Sequence, residues 1–488
     1  MSPDALQAAQ TVTRLAEELQ FRQSDAEKYD SYYRTGRGRL LAFASKQFAE
    51  YFDQRYTKFS DNWCGVVADA PTERLEVTGF RPLGADQADD ETWRVWREND
   101  ADHFSDQAFL EAILAKRSFV LVWGNPADDE TPRVTFEHPR QAIVAYDPET
   151  NERRAGLKLW VDEHNEREHS TLYTPEAVWK WQRQRIQGGR TDSGLYVPAS
   201  DVGGWEPRQP STDDTWPVPN PMGKVPLVEL PNRPRLIGEP ISDIAGVAAM
   251  QDAINLIWSY LLNDADFTSL PQRVVLGADR PKVPVLDENG QVVGEKDVPL
   301  QKFRNDRIVW LENPEAKIDQ WSAANLQMYT GVLEVCVAHV AAQSRTPPHY
   351  LMSRIVNANA DTLKTAETGL VKRSEEKTES FGRGIRHGAE LIALAQENPA
   401  KAKALRAGKV LWRDVEIRSE AQAMDAALKA RQVGYPLEYI SRRWLGMPPD
   451  EVAEVLRMIE REAEIDPIGA LARQPLPAPM PAPEPTGE

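Results

Sequence analysis

The sequence predicts an α+β chain, mainly helical and divided into several domains. Three observations carry this. Apolar residues recur at helical spacing over long stretches at both ends and in the middle of the chain. Between the first two such stretches, residues 61–235 change to short β-rich runs punctuated by turn residues. At 488 residues the chain is also longer than one ordinary core organises.

Residues 1–60 read as helical, from Val12, Leu15 and Leu19 and then Leu40, Leu41, Phe43, Ala44 and Phe48. Between these runs lies Tyr29-Asp30-Ser31-Tyr32-Tyr33-Arg34-Thr35-Gly36-Arg37-Gly38-Arg39. It reads as a basic, aromatic turn, either an anion or nucleic-acid contact or a helix–helix connection with snorkelling arginines. Strands are expected at 118–123, 142–146, 157–161 and 171–173, after a helical insert at 108–115. Trp93, Trp96, Trp123, Trp160, Trp179 and Trp181 read as core anchors of this region. Residues 184–224, rich in Gly, Pro, Ser and Asp, read as a long exposed loop.

A helix is predicted over 240–264, where Ile244, Val247, Gln251, Ile254, Trp258 and Leu261 keep a helical stripe roughly 36 Å long. A second follows over 323–342, with Leu326, Tyr329, Leu333, Cys336, Val337 and Val340 on one side, roughly 30 Å long. Between them, Val274-Val275-Leu276 and Ile308-Val309-Trp310 read as strands, with a hairpin dipeptide at Asn289-Gly290. A Pro347-Pro348 break and a polar segment come next. A third helix over 359–396 is unusually polar for its length, as in helices that bridge domains or pack against neighbouring subunits. Residues 400–465 read as a helical domain, with helices at Ala421–Gln432, Leu437–Leu445 and Asp450–Ile465, and the Pro- and Ala-rich residues 474–488 as disordered.

Composition excludes several functions. The formal net charge of −17 argues against a protein that grips nucleic acid or an anionic membrane, since such a protein presents a net basic surface. DNA moving through an acidic passage stays compatible, because repulsion prevents sticking. Two cysteines, Cys64 and Cys336, form neither a disulfide framework nor a metal set and read as small buried apolar groups. No stretch approaches the roughly 20 apolar residues of a membrane span, and no apolar segment follows Met1-Ser2-Pro3-Asp4. A reducing cytoplasm, or a particle assembled there, is the expected setting.

No catalytic residue, metal site or cofactor is expected. There is no Walker A loop, and Gly36-Arg37-Gly38 and Gly382-Arg383-Gly384 do not sit between a strand and a helix. His164 and His169 read as part of a solvated strand-turn-strand, since an odd offset would send them to opposite faces of a strand. The 14 tryptophans and many acids raise a glycan-active hydrolase as an alternative, but no converging carboxylate pair stands out.

The order of elements resembles the portal proteins of tailed double-stranded-DNA phages, of the siphophage type. Four places carry the resemblance. They are Tyr32-Tyr33-Arg34-Thr35-Gly36; Asn62-Trp63 with 66–68 and 73–80; Gly238-Glu239-Pro240-Ile241 leading to Gln251-Asp252-Ala253-Ile254-Asn255; and Thr346-Pro347-Pro348-His349-Tyr350-Leu351 through Leu363-Lys364 to Phe381-Gly382.

The resemblance implies a virion ring, typically of about twelve subunits, at one capsid vertex. Its implied parts are a β-rich wing (1–235), a first stem helix (236–264), a small α/β clip (265–320) and a second stem helix (321–343). A tunnel loop (344–358), a long wing helix (359–399), a helical crown (400–466) and a Pro-rich tail (467–488) follow. Implied partners are the large terminase ATPase, the head-tail connector, the major capsid and scaffolding proteins, and duplex DNA passing without sequence specificity. His349, Tyr350, Ser353, Arg354 and Asn357 are the candidate tunnel-loop residues. A different ring-forming head-tail adaptor is the structural alternative, although adaptors are usually shorter.

Overall fold

A computed structural model of the chain describes residues 2–35, 46–47, 50, 59–185, 204–208, 215–269, 273–276, 282–286, 291–297, 308–311, 315, 326–351, 360–416, 420–447 and 449–465. The chain divides into two compact units. One comprises Met1–Arg34, Cys64–Gly246 and Ser344–Glu488; the other comprises Thr35–Trp63 and Val247–Gln343. The α+β class holds. The strands, in chain order, are β1 (Val77–Arg81), β2 (Arg117–Trp123), β3 (Arg133–Glu137), β4 (Ala142–Tyr146), β5 (Arg153–Asp162), β6 (Arg167–Tyr173), β7 (Ala177–Gln184), β8 (Glu206–Pro207), β9 (Val218–Pro219), β10 (Leu227–Pro231), β11 (Arg273–Leu276), β12 (Lys282–Leu286), β13 (Val292–Asp297), β14 (Ile308–Leu311) and β15 (Lys409–Trp412).

The first unit opens with the helix Pro3–Thr35, whose Ser2 hydroxyl accepts from the Ala5 N–H at 3.2 Å. Ala5, Ala8, Val12, Leu15 and Leu19 form its buried stripe. They pack on Ile143, Leu157, Leu159, Leu172, Trp179 and Trp181, on one face of an antiparallel sheet ordered β4-β5-β6-β7-β8. Alternation then sends Ala142, Val144, Tyr173 and Val178 to the opposite face, where they meet Phe119, Leu121 and Leu227 of a second sheet, β10-β2-β3. That sheet is covered by the helices Ala101–Ala115 and Ala360–Ala395, with Phe109 and Phe381 stacked at 5.2 Å.

Three expectations are corrected here. The basic, aromatic turn is not a turn over its first half. The helix runs on through Thr35, because Ala26, Tyr29 and Tyr32 prolong its buried stripe; residues 36–45 lie outside those described. His169 is not solvated. It is buried on β6 with its ring stacked on Trp160 at 5.2 Å, while His164 sits in the β5–β6 turn. Finally, residues 400–465 are not all helical: β15 pairs antiparallel with β1, so Phe80 faces Val410. Gly408 permits that pairing, since a Cβ there would stand 2.2 Å from the Arg81 carbonyl oxygen.

Beyond β15, the helices Glu420–Val433, Leu437–Arg443 and Pro449–Ile465 follow as read. Ala427, Ala430 and Ile440 form a small core under Trp444 and Leu445. Gly434 (φ +99°) and Gly446 (φ +69°) make the breaks between helices, in backbone conformations that side chains disfavour. The tail 467–488 lies outside the described residues.

The second unit holds the helices Ala248–Ser269 and Leu326–Ser344, of 22 and 19 residues. They measure roughly 33 and 28 Å. The first begins later than its stripe suggested: Ile244 and Val247 are buried, but in turns ahead of the helix. The Tyr329 hydroxyl donates to Asp264 at 2.6 Å and ties the end of one helix to the start of the other, an antiparallel arrangement. Gln251 is not part of an apolar seam. Its amide accepts from the Trp63 N–H (2.8 Å) and donates to the Asp61 carbonyl (2.6 Å), while Asn255 accepts from the Asp61 N–H (2.9 Å). This explains why residues 35–63 belong with these helices rather than with the rest of 1–235. Between the helices, β11 pairs in parallel with β14, and β12 and β13 form an antiparallel hairpin whose connecting residues, including Asn289-Gly290, lie outside those described.

Candidate functional site

The segment singled out by the sequence leaves the helix Leu326–Ser344 through Arg345, whose φ of +54° ends the helix. Thr346 and Pro347 follow, then a single helical turn, Pro348–Leu351. The Ser344 hydroxyl donates to the Thr346 hydroxyl (2.9 Å) and accepts from the Thr346 N–H (3.3 Å). Residues 352–359 lie outside the described part of the chain, and the helix Ala360–Ala395 takes up the path after them.

What holds this turn is a buried charge cluster on the long helix. Arg373 donates to the Ser344 carbonyl (2.7 Å), one of the carbonyls a helix leaves without a partner at its C-terminus. The same guanidinium donates to the Val67 carbonyl (2.7 Å) and twice to one Asp243 oxygen (3.0 and 2.8 Å). Lys377, one turn along, stands 2.6 Å from that oxygen. Asn232 donates to the other Asp243 oxygen (3.0 Å) and accepts from Lys377 (2.7 Å). All four side chains are buried, so every bond replaces lost hydration. Burial alone would raise the Asp243 carboxyl, but Lys377 and Arg373 hold it well below the usual carboxylate range. Burial pushes Lys377 down to about 8, against the opposing pull of Asp243.

A second arginine pins the single turn. Arg74 donates to the Tyr350 hydroxyl (3.0 Å), to Glu367 (3.2 Å) and to the Val415 carbonyl (3.1 Å). His349 Nε2 lies 3.5 Å from the other Glu367 oxygen and its ring 4.9 Å from that of Tyr350. Of the five candidate residues, the structure thus brings His349 and Tyr350 together, both half-buried and tied to Glu367 and Arg74. Ser353, Arg354 and Asn357 lie outside the described residues.

The residues that sequence reasoning missed are Asp243, Arg373, Lys377 and Arg74. Arg373 and Lys377 belong to the helix read as unusually polar, of the kind that bridges domains or packs against neighbouring subunits. Yet Leu370, Arg373, Ser374, Lys377, Phe381 and Ile385 form one buried face. Cations standing at positions where the apolar stripe should continue were the available signal. Among the described residues, no group of three or more His, Cys, Asp or Glu side chains is arranged to hold a metal ion, and no helix is long and apolar enough to cross a membrane.

Comparison with known proteins bears out the family resemblance. The family described as phage portal protein, SPP1 Gp6-like, matches residues 45–465. The Portal protein of Mycobacterium phage D29 is 28% identical over 420 residues, spanning 82% of this chain and 78% of that protein. The Portal protein of Mycobacterium phage L5 matches with the same identity and coverage. Among solved structures, a chain of the virion of a native gene transfer agent particle aligns over 84% of this chain and 92% of its own, at 10% identity and a TM-score of 0.36.

Proposed function

Because the chain belongs to the phage portal protein family, SPP1 Gp6-like, we propose how its parts divide the role of a portal. The protein is a virion component of the DNA-packaging channel family. On our reading it assembles into a ring, of about twelve copies, at one vertex of the capsid. The ring first receives the terminase ATPase and later the head-tail connector, and it contacts the capsid and scaffolding proteins during assembly. The helices Ala248–Ser269 and Leu326–Ser344 are the stem, residues 265–320 the clip, and residues 344–358 the tunnel loop. Residues 1–235 and the helix Ala360–Ala395 make up the wing, and residues 400–466 the crown.

The observation that carries this division is the second unit itself. Two helices of roughly 33 and 28 Å, joined through distal strand pairs, leave Met328, Val332 and Val335 exposed on one helix face. Lateral packing in a ring would cover such a face. The acidic composition suits a conduit, because duplex DNA carries about one negative charge per 1.7 Å and tight binding would stall it. The driving energy then comes from the separate ATPase.

Deleting 352–359 tests the loop assignment. Assembled heads are expected to fill incompletely or to lose packaged DNA; normal filling and retention would refute it. Deleting 277–306 tests the clip. Rings are expected to form without binding terminase, and retained terminase binding would remove that assignment.

A further inference from the structure

A cavity of about 620 Å³ opens in the first unit between β10, the β4–β5 turn, residues 234–240 and the helix Ala360–Ala395. None of the portal functions above uses it. It is cationic in a chain whose formal net charge is −17. Some of its cations are already committed. Arg117 pairs with Glu229 at 3.1 Å and with Glu239. Lys224 and Arg406 both reach Glu390.

Three arginines are left. Among the described residues, Arg153 donates to the Leu227 carbonyl, at 3.4 Å, while Arg235 and Arg383 are exposed. Among the described residues, none of the three forms an ion pair. One further lining carboxylate, Glu152, is exposed. The cavity therefore holds a surplus of about two positive charges. The surplus sits on guanidiniums, whose planar forks suit tetrahedral oxyanions.

The local packing is built to hold these groups in place. A Cβ on Gly384 would come within 2.3 Å of Leu230 and 2.8 Å of the Glu229 carbonyl oxygen. Glycine there lets the long helix lie directly on β10, with Arg383 and His387, one helical turn apart, on the cavity wall. Burial, and then Arg153, push His387 down to about 4, so it is neutral at pH 7 and can donate a hydrogen bond without adding charge.

We propose that this cavity is an oxyanion site for phosphate groups carrying about two negative charges, held by Arg153, Arg383 and Arg235. A phosphate carries about −1.5 to −2 charges at pH 7, which matches the surplus; a single carboxylate would leave cationic charge uncompensated. The matching negative charge can be supplied by one free or nucleotide terminal phosphate, or by two neighbouring phosphodiesters of a DNA backbone, each of which carries one negative charge.

Calorimetric titration of the assembled protein with inorganic phosphate tests the site, followed by competition with a short duplex DNA and with a glutamate-rich peptide. The wild-type protein is expected to bind phosphate, and Arg153→Gln with Arg383→Gln to weaken binding by about tenfold or more. Competition by the duplex identifies a backbone phosphate; no competition identifies a free phosphate or nucleotide. Both results support the site. Arg383 is exposed, so Arg383→Gln alone gives the reading if the double variant does not fold, and Arg383→Lys should restore part of the loss. Absence of phosphate binding, unchanged binding in the variants, or a glutamate-rich peptide that binds in preference to phosphate would each overturn the proposal.

Discussion

Asp243 is the shared counter-charge of the buried Arg373 and Lys377 in the first unit. Replacing it with Asn leaves Arg373 and Lys377 buried without their counter-charge, and breaking a buried ion pair this way costs about 3–5 kcal/mol. Urea unfolding of Asp243→Asn should show a loss of that size. A loss below about 1 kcal/mol would mean that the cluster is not a structural tie. The same carboxyl is held below its ordinary value of 3.8, so its contribution is present above about pH 4 and is lost as the pH falls below that.

His387 gives a separate signature. Its folded value of about 4 lies below the ordinary 6.5, so between those values the unfolded chain binds more protons. Stability should therefore fall as the pH drops from about 6.5 toward 4, and His387→Gln should lose that part of the slope; an identical slope in both proteins would contradict the assignment. At this level the sequence was hard to read. Arg373 and Lys377 look like solvated charges because their partners, Asp243 and Asn232, lie more than a hundred residues away. His349 and Tyr350 stood among the tunnel-loop candidates, but their attachment to Arg74 and Glu367 depends on distant pairing and was not legible.

The secondary elements were far more legible, because periodicity is local. The long helix expected at 359–396 is Ala360–Ala395, and the three C-terminal helices fall within two residues of their expected bounds. What periodicity could not supply was pairing between remote segments. β15 is only four residues long and finds its partner, β1, more than three hundred residues earlier. Nothing in Lys409-Val410-Leu411-Trp412 alone separates it from the end of a helix. The close approach at Gly408 makes this pairing testable. Gly408→Ala would place a methyl against the Arg81 carbonyl oxygen and the Pro82 Cα, and overpacking of this kind costs about 1–3 kcal/mol. Thermal unfolding should register that loss, together with faster amide exchange along β1. Wild-type exchange in β1 would show that the two strands do not depend on each other.

For the whole molecule, the two units have different chemical characters. The first has conventional cores, sheets with helices on their faces, and a buried Asp243–Lys377–Arg373 charge cluster paired within it. The second, among its described residues, exposes Met328, Val332 and Val335 on one helix. Lateral packing of further copies would cover that exposed face, as a ring-forming family leads one to expect. Family membership and this exposed face point the same way. Electron microscopy of the purified full-length protein is the most direct measurement. Closed rings with a central hole wide enough for duplex DNA are expected, with the helices Ala248–Ser269 and Leu326–Ser344 of neighbouring copies in lateral contact. A population of compact monomers with no ring, at concentrations where the chain is folded, would contradict the portal reading.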